Sequence, residues 1–272
     1  MKPVALTNRS ISTVLGLPFH QLTMQEALAD CAAMLSDRSK PSYVITANLD
    51  FARQAASNKP LHDFICNADR VLCDGLPLVY FSRWRGSPLP ERVAGSDLVP
   101  RLFALCEQVG ASVFFLGSDK ETLQKLCALL AVRQPSLRIA GHHAPPMGPI
   151  TSWDNETICQ SIIQTAPDLL LVALGCPKQE QWIASYYQNL PVPLCIGVGA
   201  SLDFLVGKQK RAPKILQQAG LEWVWRLCGN PRRLTKRYAA DLLFLFRMGW
   251  RSRRRKSVWK EDENWKPWRQ EF

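Results

Sequence analysis

The sequence lacks the residue spacings that build metal and disulfide sites. Its four His stand at 20, 62, 142 and 143 with no H-x-x-x-H spacing, and no Asp-x-Asp pair occurs. A site for a hard cation would show clustered carboxylates, so no metal ligand set and no cofactor is expected. The nine Cys (31, 66, 73, 106, 127, 159, 176, 195 and 228) are odd in number, scattered, and never spaced C-x-x-C. That excludes a zinc knuckle and gives no support to a disulfide framework. Several lie in apolar runs, as buried free thiols do, which points to a reducing cytosolic compartment.

Other signatures are missing too. There is no G-x-x-x-x-G-K-[ST] phosphate loop, and Gly197-x-Gly199 lacks the third glycine and the acidic residue of a dinucleotide fingerprint. The two glycines still permit close backbone approach to a phosphate or sugar. No serine sits in a nucleophile elbow. No n-region with an apolar h-region opens the chain, and the longest nearly apolar stretch, Tyr238 to Trp250, is thirteen residues broken by Asp241 and Arg247. That is too short to span a bilayer.

What the chain has in excess is positive charge at one end. It carries 34 Lys+Arg against 23 Asp+Glu, formally +11. Residues 1–207 hold 16 basic and 17 acidic side chains, whereas 208–272 hold 18 and 6. The body is neutral and the tail basic, so the charge reports on a partner of the tail. Six of the nine Trp also fall in the last fifty residues (Trp223, Trp225, Trp250, Trp259, Trp265, Trp268), and Trp with Lys/Arg suits a membrane–water interface. The plain alternative is a solvated basic segment with a few core Trp.

Along the body, short apolar runs alternate with amphipathic segments, the pattern of an α/β domain with a mostly parallel, Rossmann-like sheet flanked by helices. Strands are expected at 43–47, 70–73, 112–116, 137–141, 168–174 and 194–198. Helices are expected at 23–36, 49–57, 76–85, 96–109, 120–133, 155–165 and 178–189. Ser96 and Ser118/Asp119 read as N-caps, and Pro177 as a first-turn proline. His142-His143 reads as part of a loop. After Gly207 the alternation stops and the rest reads as helix to about Trp250, interrupted near Gly229-Asn230-Pro231. The expected division is 1–207, an α/β catalytic domain; 208–250, a basic helical appendage for membrane or substrate; and 251–272, a Trp- and charge-rich tail.

Ligands of open α/β sheets bind where loops leave the carboxyl edges of the strands. Four such edges carry polar groups: Thr46-Ala47-Asn48, Cys73-Asp74-Gly75, Gly175-Cys176-Pro177-Lys178-Gln179-Glu180, and Gly197-Val198-Gly199-Ala200-Ser201 leading to Asp203. Asp74, at the end of an apolar strand, is placed for partial desolvation, which raises a carboxylate's pKa and suits a general base. It is equally placed to cap a helix beginning at Leu76, and Thr46 and Asn48 to satisfy their own turns. In the tail, Arg226, Arg233 and Arg237 share a helical face if the helix runs unbroken past Pro231. Arg211 and Arg232 add to a guanidinium cluster of the kind that binds phosphate. Leu234, Tyr238, Leu242 and Leu245 form an opposing apolar stripe suited to a membrane surface. Nucleic acid is the competing use of a basic helix, but the neutral body offers it no second basic surface.

Taken in order, these motifs resemble the WecG/TagA/CpsF family of bacterial glycosyltransferases, from about Tyr43 to Tyr238. To the strand-end motifs are added Glu91-Arg92-Val93-Ala94-Gly95-Ser96-Asp97, Phe114-Phe115-Leu116-Gly117, Arg211-Ala212-Pro213, Gly220-Leu221-Glu222-Trp223 and Pro231-Arg232-Arg233. The resemblance implies inverting, metal-independent sugar transfer from a nucleotide diphosphate, UDP being expected, to a saccharide on undecaprenyl diphosphate, for cell-surface polysaccharide. The sugar would be of N-acetylmannosamine, N-acetylmannosaminuronic acid or glucose type. It implies Asp74 as catalytic base, with Thr46, Asn48, Arg92 and Gln179 lining the pocket, Gly197, Gly199 and Asp203 near the substrate, and Arg211, Arg226, Arg232 and Arg233 closing over the nucleotide. The expected partners are this donor, the lipid-linked acceptor and an anionic membrane surface, with no nucleic acid. Attachment is expected to be peripheral, on the inner face of the cell membrane, and a homo-oligomer is compatible with a pocket completed by an appendage. A non-enzymatic nucleotide- or nucleic-acid-binding module using the basic helix is the contrasting reading.

Overall fold

A computed structural model describes residues 9–213, 215–216 and 221–254, apart from the side chains of 233 and 251–254. Six strands form one parallel sheet: β3 (Ser42–Ala47), β4 (Arg70–Cys73), β5 (Ser112–Gly117), β6 (Arg138–His143), β7 (Leu169–Ala173) and β8 (Leu194–Gly197), in the order β4-β3-β8-β7-β5-β6. Every residue of β3, β4, β5, β7 and β8 is buried, as strands covered by helices on both faces require. Along β7, Leu170 and Val172 enter one core with Phe51, Leu78 and Trp182. Leu169 and Leu171 enter the other with Leu98, Phe103 and Phe115. The expected α/β class is what the structure has.

The helices before the C-terminal segment are α1 (Met24–Ser36), α2 (Leu49–Ala55), α3 (Lys59–Cys66), α4 (Leu76–Trp84), α5 (Gly95–Val109), α6 (Lys120–Arg133), α7 (Asn155–Thr165), α8 (Lys178–Tyr186) and the short α9 (Ser201–Leu205). Asp119 does cap α6, accepting from the Thr122 N–H at 2.9 Å. Ser96 does not cap α5; the helix starts at Gly95 with Ala94 as its N-cap, so Ser96 lies inside the first turn. His142 and His143 close β6 rather than opening a loop.

Two features escape the sequence pattern. A hairpin, β1 (Ile11–Val14) and β2 (Leu17–His20), turns at Leu15-Gly16, both with positive φ (50° and 83°). Such a turn is signalled by Asn-Gly or Asp-Gly, and Leu gives no such cue. The hairpin protects the edge strand β4: His20 Nδ1 accepts from the Val71 N–H at 3.0 Å. Helix α3 is the other, started by Asn58, whose side chain accepts from Leu61 N, with Pro60 in its first turn.

The chain runs from β3 outward to β4 and returns through β7 to β8 on the other side of β3, so the topology switches between β3 and β8. The carboxyl ends of β4, β3, β8 and β7 therefore open on one crevice. Over it lie α10 (Glu222–Gly229) and α11 (Pro231–Arg254), separated at Asn230, whose φ of −150° and ψ of 67° end the first helix. The helix does not run unbroken past Pro231, so the face shared by Arg226 and Arg237 is not built. Nor does the expected apolar stripe face wholly outward: Leu245, with Phe244 and Met248, packs on the core, and Tyr238 and Leu242 line the crevice. Residues 255–272, with Trp259, Trp265 and Trp268, lie outside the described residues.

Candidate active site

The crevice is a cavity of about 350 Å³. Its walls come from the four strand ends, from the first turns of α4 and α5, and from α10 and α11. Helices α1, α2, α3, α6 and α7 start with a side chain bonded to their free N–H groups, from Thr23, Asn48, Asn58, Asp119 and Asp154. Helices α4, α5 and α8 start on Gly75, Ala94 and Pro177 without such a cap, and each of these starts borders the cavity. Some first-turn N–H groups are taken by backbone, as Gln179 N–H is by Gly175 O at 3.0 Å, but the positive helix ends favour an anion there.

Asp74 leaves β4 with its N–H bonded to Ala47 O at 2.9 Å, which holds it beside the end of β3. It does not cap α4, whose N-cap is Gly75. Its Oδ2 instead faces the Gly95 N–H at 3.4 Å, at the start of α5. Burial pushes its pKa up to about 7, against the pull of Arg92 and Arg226 and with a smaller push from Glu222. A carboxylate with this pKa is an effective proton acceptor near neutrality.

Arg92 donates from Nη1 to Glu222 at 2.9 Å and from Nη2 to Asp97 at 3.2 Å. Arg226 lies in the cavity wall, 3.9 Å from Glu222 and stacked over Phe204 at 4.9 Å. Arg211 is one step removed, forked onto both oxygens of Asp97 at 2.6 and 2.7 Å. Arg232 is exposed at the start of α11 and outside the cavity wall. The Arg233 side chain lies outside the described atoms.

The remaining predicted residues divide in the same way. Thr46 lines the cavity and donates to Gly197 O at 3.3 Å. Asn48 lines it too and caps α2, accepting from Asp50 N and Phe51 N at 3.0 and 3.3 Å. Gln179 is buried in the floor, accepting from the Gly199 N–H at 2.9 Å and donating to Glu180 at 2.7 Å. Gly199, at φ 52°, reaches the wall. Gly197 lies beneath it, where an added Cβ would stand 2.7 Å from Gln179 Nε2. Asp203 is away from the cavity, accepting from Ser118 at 2.8 Å and Gln209 at 3.0 Å.

Burial pushes the pKa of Glu180 up to about 7. Sequence reasoning saw the motifs of Glu180 and Glu222 but gave neither residue a role. It also missed the pairing of Asp50, Arg53, Arg237 and Asp241, which docks α11 on α2. Nothing in the chain order marks these partners, for Arg53 and Asp241 are 188 residues apart.

A parallel sheet with its cavity at the switch point, and guanidinium groups and positive helix ends around a raised-pKa acid, suit group transfer to or from phosphorylated substrates. The chain matches the model of the Glycosyl transferase WecG/TagA/CpsF family over residues 12–258 and belongs to that family, a family of glycosyltransferases. Among its relatives is an N-acetylglucosaminyldiphosphoundecaprenol N-acetyl-beta-D-mannosaminyltransferase of Bacillus spizizenii (strain W23), 33% identical over 72% of this chain and 75% of the relative. A protein of the same name from Staphylococcus aureus (strain MW2) is 27% identical over 84% of this chain and 88% of its own. Among the described residues no helix is long and apolar enough to cross a membrane.

Proposed function

We propose that this enzyme transfers an N-acetylmannosaminyl group from a uridine diphosphate sugar to an N-acetylglucosaminyl-diphosphoundecaprenol acceptor, with inversion. The names of the relatives support the sugar and acceptor. The observation that carries the chemistry is the Asp74 carboxylate in the wall of a cavity whose cations and helix starts suit a diphosphate.

In this reading the acceptor hydroxyl attacks the anomeric carbon from the face opposite the nucleotide. The new C–O bond forms as the bond to the diphosphate oxygen breaks, and the hydroxyl proton passes to Asp74. Charge growing on the leaving diphosphate is met by the charges of Arg226 and Arg92 and by the positive ends of α4 and α8. With this compensation supplied by the protein, transfer is metal-independent. Thr46, Asn48 and Gly199 shape the sugar end of the cavity, and Gln179 fixes the Gly199 backbone. The lipid acceptor is met at the bilayer: the exposed Leu243, Phe246 and Trp250 of α11, with the basic residues around them, dock the enzyme peripherally on an anionic surface.

The test is a panel of UDP- and GDP-sugars offered with a lipid-diphosphate N-acetylglucosamine acceptor, with and without chelator. Disaccharide from UDP-N-acetylmannosamine, undiminished by chelator, is the expected result. Preference for another donor would overturn the sugar, and loss with chelator restored by a divalent cation would overturn metal independence.

A further inference from the structure

Besides Asp74 the cavity is lined by the carboxylates of Asp50 and Asp241, which pair with Arg53 and Arg237, and of Glu222, brought in by the first turn of α10 and 15% exposed at its side chain. Its partner Arg92 comes from the body, 130 residues earlier. Arg92 and Asp74 line the same cavity, on segments joined by the Val93 N–H to Cys73 O bond at 2.8 Å, and an arginine paired directly with the acid inside a low-dielectric wall would hold it as an unreactive carboxylate. Among the described residues it makes no ion pair with Asp74. Both of its terminal nitrogens are engaged elsewhere, on Glu222 at 2.9 Å and Asp97 at 3.2 Å.

The two holds are unequal. Asp97 is already claimed through both oxygens by Arg211, at 2.6 and 2.7 Å, which leaves it the weaker partner for Arg92. Glu222 makes the shorter contact, and its other oxygen faces Arg226 only at 3.9 Å. We propose that Glu222 is a positioning residue that holds Arg92 off Asp74, so that the body's acid becomes a competent base only when α10 is docked over the cavity. The inference rests on the assignment of Asp74 as base.

The charged and titratable groups facing Asp74 are Arg92 from the segment before α5, Arg226 and Glu222 from α10, Arg211 from the segment after α9, and Cys73 beside it on β4. Of these, Arg92 and Arg226 favour its ionised form and Glu222 opposes it. Removing the Glu222 charge therefore acts twice in one direction, by deleting a repulsion and by freeing Arg92 to approach.

The experiment titrates the Asp74 carboxyl by 13C NMR in the full chain, assigned by difference against D74N, without substrate. Glu222→Gln should lower the midpoint by about one pH unit, the scale of one nearby charge. Glu222→Asp, the variant safer for folding, should lower it by less. Arg92→Met should raise the midpoint, and adding Glu222→Gln to Arg92→Met should move it by less than half of the single-variant shift. An unmoved midpoint in Glu222→Gln, or a full shift in the double variant, overturns the proposal. In the transfer assay the acid limb of kcat/KM should move to lower pH with the same variant while its plateau falls. Because the titration needs no sugar transfer, failure of Asp74 as base would show in the assay alone.

Discussion

The body and the C-terminal helices are held by different forces. Strands β3, β5, β7 and β8 are buried throughout, and the two cores against them consist of side chains such as Leu171, Phe115 and Trp182 with no exposure at all. Helix α11 buries far less, exposing Leu242, Leu243, Phe246 and Trp250, and it meets α2 through Asp50, Arg53, Arg237 and Asp241. Apolar burial is insensitive to salt, whereas ion pairs with one foot in solvent weaken as salt rises. A half held by deep apolar burial thus carries the floor of the cavity, and a half held by ion pairs beside the shallower contacts of Phe244, Leu245 and Met248 carries its cover.

The sharpest way to set the halves apart is to remove the proton acceptor and leave both intact. Asp74→Asn should lower kcat by about 10²–10⁴-fold, the range for losing a general base, with the fold unchanged by circular dichroism. Near-normal turnover would move the base elsewhere.

The next contrast is between one deletion in each half. Leu171→Ala opens a cavity between β7 and the second core and should cost about 2–5 kcal/mol of global stability in denaturant unfolding. Arg53→Ala leaves Asp50 and Asp241 facing Arg237 alone. Both acids are buried while Arg53 keeps about a third of its side chain in solvent, so the loss falls on the docking of α11 and should leave the main transition of the body less affected than Leu171→Ala does. Protease cleavage within 231–254 should nonetheless become faster, and more so at high salt. Equal losses in both variants would show that the halves unfold as one unit.

The same division governs what could be read from the sequence. The six strands and the helices between them follow from alternating apolar runs, because a parallel sheet covered on both faces has to be written as such runs. Asp74, Thr46, Asn48 and Gln179 were legible because they sit at strand ends, where chain order alone fixes the neighbourhood. Asp203 sits near the same edge yet turns toward Ser118 and Thr122, a choice made by side-chain packing. Glu222, Asp241 and Arg237 were not legible as partners, since their meaning depends on how two helices lie over the body. The hairpin at Leu15-Gly16 was hidden by a residue that seldom takes a positive φ.

The smallest effect tests the environment of Asp74 through stability alone. Its pKa in the folded chain, about 7, lies above the ordinary 3.8, so the folded state binds this proton more tightly than the unfolded state. Below about pH 4 both states are protonated and the difference vanishes. As pH rises through the interval to 7 the unfolded chain gives up its proton first, and stability falls; above 7 the folded chain carries the full cost of a desolvated charge. Asp74→Asn removes that cost. Its Tm should therefore exceed that of wild type at pH 8, by roughly 2–4 °C for each kcal/mol of that cost, and the two should converge near pH 4. A Tm gap independent of pH would mean that the carboxyl is not desolvated, and the cavity wall would then lack the property that makes its acid a base.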